Sequence, residues 1–261
     1  MARPVALITG ASTGIGKAFA ERLAARGDDL VVVARDTARL EALAKELDAG
    51  FGTNVEVLTA DLTTGQGMAA VEARLGDGDQ PVELLVNNAG FGTVGKFHEL
   101  PVAGEITEIG LNIVAVTRLM HAALAGMVAR GRGGVINVSS IAGYQPNPGT
   151  ATYGATKAFV SSLTQAAHEE LKGTGVQCMV LCPGFTRTEF QDRAGVDSSG
   201  VPDFLWQDAT TVVDHALASF AKGRAVCLPG ALNQATAGFS AVMPAGVSRR
   251  VAGAIMRRAD K

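Results

Sequence analysis

Two side chains that could exchange a proton lie four residues apart in the stretch TATYGATKAF, and only small residues separate Tyr153 from Lys157. A free phenol has a pKa of about 10 and is a poor acid or base at neutral pH. A nearby ammonium stabilises the phenolate and lowers that pKa. Residues i and i+4 share a helix face, so this spacing predicts an acid–base pair with room for a cofactor alongside. An ordinary surface pair on an amphipathic helix has the same spacing.

A glycine-rich stretch, TGASTGIG, follows the first apolar run and opens a helical pattern. Gly10 permits a tight turn, while Gly14 and Gly16 let the backbone approach a pyrophosphate at the amino end of the helix. This strand–loop–helix context favours dinucleotide binding. The spacing differs from G-x-G-x-x-G, and a glycine-rich turn without a ligand is the alternative.

The second apolar run ends in VVVARD, which places Arg35 before Asp36. A carboxylate at the strand end would bind the ribose hydroxyls of NAD, whereas a guanidinium suits the 2′-phosphate of NADP. Arg35 therefore favours NADP(H) over NAD(H). In the alternative interpretation, Arg35 is simply exposed, and Asp36 is the N-cap of the next helix, a role compatible with either cofactor.

The elements that must position these residues alternate between short apolar strands and helical patterns. This alternation predicts an α/β fold, a Rossmann-like, doubly wound parallel sheet of seven strands with helices on both faces. The strands are expected at PVALITG, LVVVAR, NVEVLTADL, VELLVNNAG, GGVINVSS, VQCMVLCPG and RAVCLPG. The helices are expected near residues 14–26, 37–49, 65–75, 102–130, 150–172 and 208–222.

No long linker divides the chain, so residues 1–261 are expected to form one dinucleotide-binding domain. Within it, residues 185–206 form an irregular substrate loop, and residues 231–261 form a helical tail that ends in a basic amphipathic segment. Such a tail can pack on a second subunit, lie on an anionic membrane, or remain disordered.

Composition excludes several other classes of protein. The net charge of −2 provides no basic field for nucleic acid. The sequence has no run of eighteen or more apolar residues, so no membrane span is expected. The four histidines have no metal-ligand spacing, so no metal is expected. The three cysteines are expected to be buried, reduced thiols. With no signal-peptide pattern, these features predict a cytoplasmic protein.

Five motifs follow one another along the chain: TGASTGIG, NNAG at 87–90, VSS ending at Ser140, YGATK at 153–157 and PGFTRT at 183–188. In this order they resemble the short-chain dehydrogenase/reductase superfamily, from about Arg3 to Gly230. The resemblance implies an oxidoreductase that transfers a hydride between a nicotinamide and a carbonyl or alcohol. Members usually form dimers or tetramers, so a homodimer or homotetramer is expected.

The resemblance also implies roles for individual residues. The catalytic positions are Tyr153, Lys157, Ser140 and Asn112, with Tyr153 as the general acid or base, Ser140 orienting the carbonyl oxygen and Asn112 completing a proton path through water. The implied cofactor-binding residues are Gly10, Ser12, Thr13, Gly14, Ile15, Gly16, Arg35, Asp61, Leu62, Asn88, Ala89, Gly90, Tyr153, Lys157, Pro183, Gly184, Thr186 and Thr188.

Side chains expected at the carboxyl ends of the strands are mostly apolar, and they indicate a hydrophobic ketone, aldehyde or alcohol. They are Phe91, Thr93, Phe97, Tyr144, Gln145, Phe185, Phe190, Phe204 and Trp206. In the alternative interpretation, several of them only close the core. The stretches NNAGFGTVGKF and VCLPGALN resemble a branch of bacterial short-chain reductases, which implies acyl-type substrates such as 3-oxoacyl compounds as well. Two other functions share the fold: a non-catalytic NADP(H)-binding scaffold, and a membrane-associated lipid or sterol reductase that depends on the tail.

Overall fold

The computed structural model describes residues 3–195, 201–242, 246–247 and 249–250. The strands are β1 (Val5–Thr9), β2 (Asp29–Ala34), β3 (Val55–Thr59), β4 (Val82–Asn87), β5 (Gly133–Val138), β6 (Val176–Leu181), β7 (Thr186–Arg187), β8 (Gln207–Asp208) and β9 (Val226–Cys227). The α-helices are α1 (Gly14–Arg26), α2 (Thr37–Phe51), α3 (Gly65–Leu75), α4 (Val102–Ile109), α5 (Val116–Arg130), α6 (Ala151–Glu170), α7 (Phe190–Ala194), α8 (Ala209–Ala221) and α9 (Ala231–Val242).

Seven strands form one parallel sheet in the order β3-β2-β1-β4-β5-β6-β9. The chain winds outward from β1 in one direction and then returns to add β4 on its other side. This reversal confirms the predicted doubly wound topology, and it opens a crevice at the carboxyl ends of β1 and β4.

Neighbouring residues of each central strand enter two separate cores. Ile8 and Val32 face α1, α2 and α8, whereas Leu7 and Val31 face α3, α5 and α6. All four side chains are at most 1% exposed. Strands buried on both faces need no polar alternation, which explains the continuous apolar runs in the sequence.

The remaining differences from the expected elements are local. The seventh sheet strand is only Val226–Cys227. The expected substrate loop, residues 185–206, contains β7 and α7, and β7 pairs in parallel with β8 just beyond the loop. Residues 196–200 of this loop lie outside the described part. In the expected tail, α9 spans Ala231–Val242 and residues 246–247 and 249–250 are helical, while residues 251–261 lie outside the described part.

The helical stretch Val102–Arg130 departs from the expectation that no segment could span a membrane. Among the described residues it is the one helix whose length and hydropathy would suffice, and 39% of its most apolar window is buried within the protein. This is weak evidence, because a helix in a protein core passes the same test. Leu119 and Met127 of this stretch are at most 1% exposed and belong to the core beneath the sheet.

Candidate active site

The glycine loop connects β1 to α1 at the crevice. Gly10 and Gly14 have φ values of 66° and 56°, in the region that L side chains rarely adopt. Gly16 has no such constraint, but a Cβ built on it would lie 2.2 Å from the Gly10 carbonyl oxygen and 2.5 Å from Asn88 Nδ2. The three predicted glycines are therefore required by the backbone geometry of the loop itself.

The loop is fixed to β4 through Thr9 and Asn88. The Thr9 hydroxyl accepts hydrogen bonds from the backbone N–H groups of Asn88 and Ala89, each at 3.0 Å. Asn88 Nδ2 in turn donates to the carbonyl oxygens of Thr9 and Gly10 at 2.9 and 3.2 Å. The sequence analysis did not identify Thr9 as a functional residue. Its position at the end of the first strand, where a hydroxyl can bridge to the neighbouring strand, could have indicated this role.

The amino end of α1 has the features of an anion site. Thr13 is the N-cap, its side chain makes no capping hydrogen bond, and the first turn has no acidic residue. Backbone N–H groups without a side-chain cap attract anions. A cavity of about 320 Å³ opens here, lined by Ser12, Thr13, Gly14, Lys17, Arg39, Ala42, Leu43, Glu46 and Glu189. Ile15 points the other way and packs on the core. The loop thus fits a cofactor pyrophosphate.

Arg35 and Asp36 follow β2 and have different environments. Asp36 is the N-cap of α2 and accepts a hydrogen bond from Arg39 N at 3.0 Å, as one interpretation predicted. Arg35 is exposed and has no hydrogen bond or ion pair to any described residue. Hydrogen bonds from Thr63 lower the pKa of the Asp61 carboxyl, and the positive charge of Arg35 lowers it by a smaller amount.

Leu62 is 7% exposed beside Asp61 and contributes to the core. Pro183 is buried and Thr186 is 4% exposed, with the Thr186 hydroxyl donating to the Gly184 carbonyl at 3.1 Å. Thr188 lies over the glycine loop, since a Cβ on Gly14 would be 2.9 Å from its methyl group. The segment after β6 therefore covers the amino end of α1.

Ser140 and Tyr153 meet where β5 and α6 approach each other. The Ser140 hydroxyl is a hydrogen-bond partner of the phenol that lowers the pKa of Tyr153. The Lys157 side chain is 5% exposed, and its Nζ lies 5.6 Å from the Tyr153 ring centroid. Nζ donates to the Val138 carbonyl at 3.0 Å. The structure therefore brings three of the four predicted catalytic side chains together.

The predicted lowering of the phenol pKa by Lys157 is not found in this structure. Burial is the largest cause of the Tyr153 pKa of about 12; a hydrogen bond from Ser140 acts against it, an ionised Glu108 acts with it, and Lys157 is not among the causes. The Lys157 ammonium donates to the β5 backbone. Burial also lowers the pKa of Lys157 to about 8.

Asn112, the fourth predicted catalytic residue, lies in a π-helical turn (Gly110–Ala115) between α4 and α5. Its side chain is 1% exposed and holds Phe91 by both backbone groups: Nδ2 donates to the carbonyl at 2.8 Å, and Oδ1 accepts from the N–H at 3.2 Å. A Cβ on Gly90 would lie 2.9 Å from Oδ1. The side chain therefore positions the segment that follows β4.

Aromatic side chains line part of the site. The Phe190 ring packs on Tyr153 with centroids 5.6 Å apart, and Phe185 packs on Trp206 at the same distance. Two other expected lining residues, Phe97 and Phe204, are 64% and 78% exposed. The structure also places a cation beside these rings, because the Arg187 guanidinium lies 5.5 Å from the Trp206 centroid.

In the described part of the chain, no group of three or more His, Cys, Asp and Glu side chains could hold a metal ion. Cys178, Cys182 and Cys227 are free and buried, and burial raises the pKa of each thiol.

Comparison with known proteins identifies the family. The model of the short chain dehydrogenase family matches residues 4–198. A sulfoacetaldehyde reductase of Chromohalobacter salexigens is 36% identical over 214 residues, which are 81% of this chain and 83% of the relative. The chain thus has a reductase among its relatives.

Solved structures extend the likeness to the fold. A short-chain dehydrogenase from Sphingobium yanoikuyae in complex with NADPH is 40% identical, with a TM-score of 0.83 over 92% of this chain and 96% of that one. The bulky-bulky ketone specific alcohol dehydrogenase from Comamonas testosteroni is 36% identical, with a TM-score of 0.79 over 92% and 95%. A family member from Burkholderia phymatum in complex with NAD is 28% identical, with a TM-score of 0.78 over 90% and 92%. The chain belongs to the short-chain dehydrogenase/reductase family of nicotinamide-dependent oxidoreductases.

Proposed function

We propose that the protein is an NADP(H)-dependent oxidoreductase that interconverts a carbonyl and a secondary alcohol on a hydrophobic substrate. The observation that carries the proposal is the convergence of Ser140, Tyr153 and Lys157 at the carboxyl edge of the sheet, beside a glycine loop that fits a pyrophosphate. A protein that only binds the cofactor needs the loop but not this set of side chains.

The roles of the side chains follow from their contacts. A bound nicotinamide supplies or accepts the hydride. Tyr153 gives a proton to the substrate oxygen during reduction and takes it back during oxidation. Ser140, already a partner of that phenol, donates a hydrogen bond to the same oxygen and orients it.

The Lys157 ammonium lies 5.6 Å from the Tyr153 ring centroid. Burial lowers its pKa to about 8, so it gives up a proton more readily than a free lysine does. Asn112 keeps its side chain on Phe91, so its part in a proton path would run through the opened backbone of the π turn. We propose the remaining positions for cofactor binding as the resemblance implies.

The preference for NADP(H) rests on Arg35. This guanidinium has no partner among the described residues and follows β2, where a 2′-phosphate would lie. Relatives in complex with NADPH and with NAD are both known, so the choice of cofactor is a property to be tested on this chain.

The hydrophobic substrate is supported by the rings around the phenol. Phe190 covers Tyr153, and the Phe185–Trp206 pair lies in the same segment after β6. A relative that acts on bulky ketones has the same fold at 36% identity. A ketone, an aldehyde or a 3-oxoacyl compound with apolar substituents fits these surroundings.

We further propose that the whole chain is one cofactor-binding domain that works as a homodimer or homotetramer in the cytoplasm. Three reduced cysteines suit a reducing compartment. Exposed apolar side chains along the stretch Val102–Arg130, among them Val102, Ile106 and Val114, are available for subunit contacts.

The test follows the absorbance of NADPH and NADH with a panel of hydrophobic ketones, aldehydes and 3-oxoacyl thioesters. Tyr153→Phe should lower kcat by about 10²- to 10⁴-fold, since proton transfer is lost. Tyr144→Phe is the matched control, because it removes the other phenolic hydroxyl of the chain, which lies 3.9 Å from Cys182 Sγ, and keeps the ring in place. Equal losses in both variants would contradict the assignment, and cofactor binding without any turnover would favour a non-catalytic scaffold.

A further inference from the structure

The helix α4 turns its charged side chains inward and its apolar ones outward. Glu105 and Glu108 are 5% and 0% exposed, while Val102 and Ile106 are 72% and 62% exposed. Burying carboxyl groups is unfavourable unless hydrogen bonds compensate for lost hydration. The proposed mechanism uses neither glutamate, so their burial beside the active site requires another explanation.

Both carboxyls reach the same threonine. Thr93 Oγ1 lies 2.6 Å from Glu105 Oε1 and 2.8 Å from Glu108 Oε2, and Thr93 N donates to Glu108 Oε2 at 2.9 Å. The second oxygen of Glu105 contacts the Thr152 hydroxyl. Glu105 thus has a hydroxyl at each of its oxygens, whereas Glu108 Oε1 has no hydrogen-bond partner among the described residues.

The hydrogen bonds of this cluster need one more proton than the two threonine hydroxyls supply. Three oxygen–oxygen contacts join the two hydroxyls to the two carboxyls. Each hydroxyl has one proton to donate, so the third contact is a full hydrogen bond only if a carboxyl supplies the proton. Glu105 accepts at both oxygens and is the carboxylate. Glu108 is the more buried group, and burial raises its pKa, so the proton belongs to Glu108.

This cluster touches the reacting residues through short connections. Thr93 follows Gly92, where a Cβ would lie 3.0 Å from the Tyr153 ring, and Thr152 directly precedes Tyr153. Asn112, one helical turn after Glu108, holds Phe91. Residues 91–93 are therefore held against the Tyr153 ring at both ends, by an amide at one end and by the carboxyls at the other.

We propose that Glu108 is a positioning residue that keeps a proton, donates it to the Thr93 hydroxyl, and so holds residues 91–93 against Tyr153 without adding negative charge beside the phenol. The inference deepens the proposed function, on which it rests, because it assigns a role toward Tyr153. Glu105 is the charged partner in this arrangement.

The charged and titratable groups that face Glu108 are Glu105 on its own helix and Tyr153 and Lys157 on α6. The Thr93 segment contributes hydrogen bonds that lower the pKa of Glu108, but burial outweighs them. As the pH rises through this raised pKa, Glu108 ionises beside Glu105 and disfavours the phenolate. The stability that neutral Glu108 contributes at lower pH is then lost, and activity falls with it.

Infrared spectroscopy tests the proton directly and needs no substrate. Wild-type protein should show the carbonyl stretch of a protonated carboxyl at neutral pH, and this band should disappear at alkaline pH. Glu108→Gln should remove it, whereas Glu170→Gln, at an exposed position of α6, should leave it. A wild-type spectrum without such a band at neutral pH overturns the proposal, even if the variants fail to fold, and leaves the proposed function intact.

Titration of the phenol tests the electrostatic part. The chain has two tyrosines, so in a Tyr144→Phe background the alkaline ultraviolet absorbance of tyrosinate reports Tyr153. Adding Glu108→Gln should move the midpoint to lower pH, because Glu108 has ionised at the alkaline pH where the phenol titrates and its charge then raises the pKa of Tyr153. An unchanged or higher midpoint would show that an ionised Glu108 does not act on the phenol, and the proposed need to keep it neutral would fail.

Turnover tests the positioning. Glu108→Leu should lower kcat about tenfold, since it removes one of the two carboxyl partners of the Thr93 hydroxyl and the acceptor of Thr93 N. Glu108→Gln should restore part of that loss, because its amide can donate to the Thr93 hydroxyl as the protonated carboxyl does, although it then no longer accepts from Thr93 N. If the Gln variant loses as much as the Leu variant at an unchanged unfolding temperature, Glu108 acts as a carboxylate and the proposal is wrong.

Discussion

The glycine loop and the segment after β6 face each other across the candidate site, and different kinds of contact hold them. The loop is held by backbone groups and by Asn88 at distances that leave no space for a side chain at Gly16. The segment after β6 is held by ring contacts such as Phe185–Trp206 and by surface ion pairs such as Arg39–Glu189.

Because of this difference, the glycine loop and the segment after β6 tolerate substitutions to different degrees. A close-packed backbone admits one geometry, because any added atom meets a carbonyl oxygen or an amide. Exposed rings and ion pairs are individually weak and can be exchanged without moving the sheet. The cofactor side of the site is thus rigid, while the substrate side can vary in sequence.

The largest difference is expected from Gly16→Ala. Its Cβ would meet the Gly10 carbonyl oxygen at 2.2 Å, and overpacking of this kind destabilises a fold by about 1–3 kcal/mol. Thermal unfolding and NADPH titration should both show a loss. Gly50→Ala is the matched control, since no atom lies within 4 Å of its Cβ, and a helix favours alanine. If the two variants unfolded at the same temperature and bound NADPH equally well, the glycine loop would not be sterically constrained at Gly16.

The second-largest effect is expected from Arg35→Ala, and it should fall on the binding of NADPH. If this guanidinium binds a 2′-phosphate, its loss should raise the KM for NADPH about tenfold or more and leave that for NADH nearly unchanged. Arg22→Ala is a control whose guanidinium binds Asp214 at 2.8 and 3.1 Å and does not line the cavity at the glycine loop. Should Arg35→Ala weaken NADPH and NADH equally, the 2′-phosphate assignment fails.

On the substrate side, Phe190→Ala should act mainly on substrate binding. The ring packs on Tyr153 at 5.6 Å, so its removal should raise the KM for large apolar ketones by several-fold. Small substrates that do not reach the ring should be affected less, and the NADPH dissociation constant should not change. A loss of cofactor affinity would show that the two sides are not separable in this way.

The smallest effect is expected from Glu189→Gln, which weakens ion pairs to Arg39 and Arg193. All three side chains are about half exposed, and such pairs contribute little. Turnover should change less than about threefold, and the difference should vanish at high salt. A tenfold loss would mean that this bridge organises the site, contrary to the comparison above.

The parts of the site that were predictable from sequence are those with a steric or chemical requirement at one position. Glycine at residues 10, 14 and 16 marks a backbone constraint, and Tyr153 four residues before Lys157 marks a shared helix face. Strands buried on both faces produce continuous apolar runs. For this reason the order of the strands and helices and the parallel sheet could be predicted from the sequence.

The remainder depends on partners distant in the chain. The apolar pattern of α4 would place Val102 and Ile106 inside, yet the structure buries Glu105 and Glu108, because Thr93 and Thr152 are there to meet them. The strands β7 and β8 have two residues each, too few to leave a periodic pattern. The pKa of Tyr153 depends on burial, which spacing alone does not reveal.

The hydroxyl of Thr9 has a consequence for how the protein is made. Its two incoming N–H bonds come from Asn88 and Ala89, residues synthesised about 80 positions later. Until that part of the chain leaves the ribosome and pairs with β1, Gly10 has no Asn88 amide to hold it. A nascent chain would therefore acquire cofactor affinity only after β4 docks. Cofactor present during translation can then stabilise only intermediates in which the central strands have already paired.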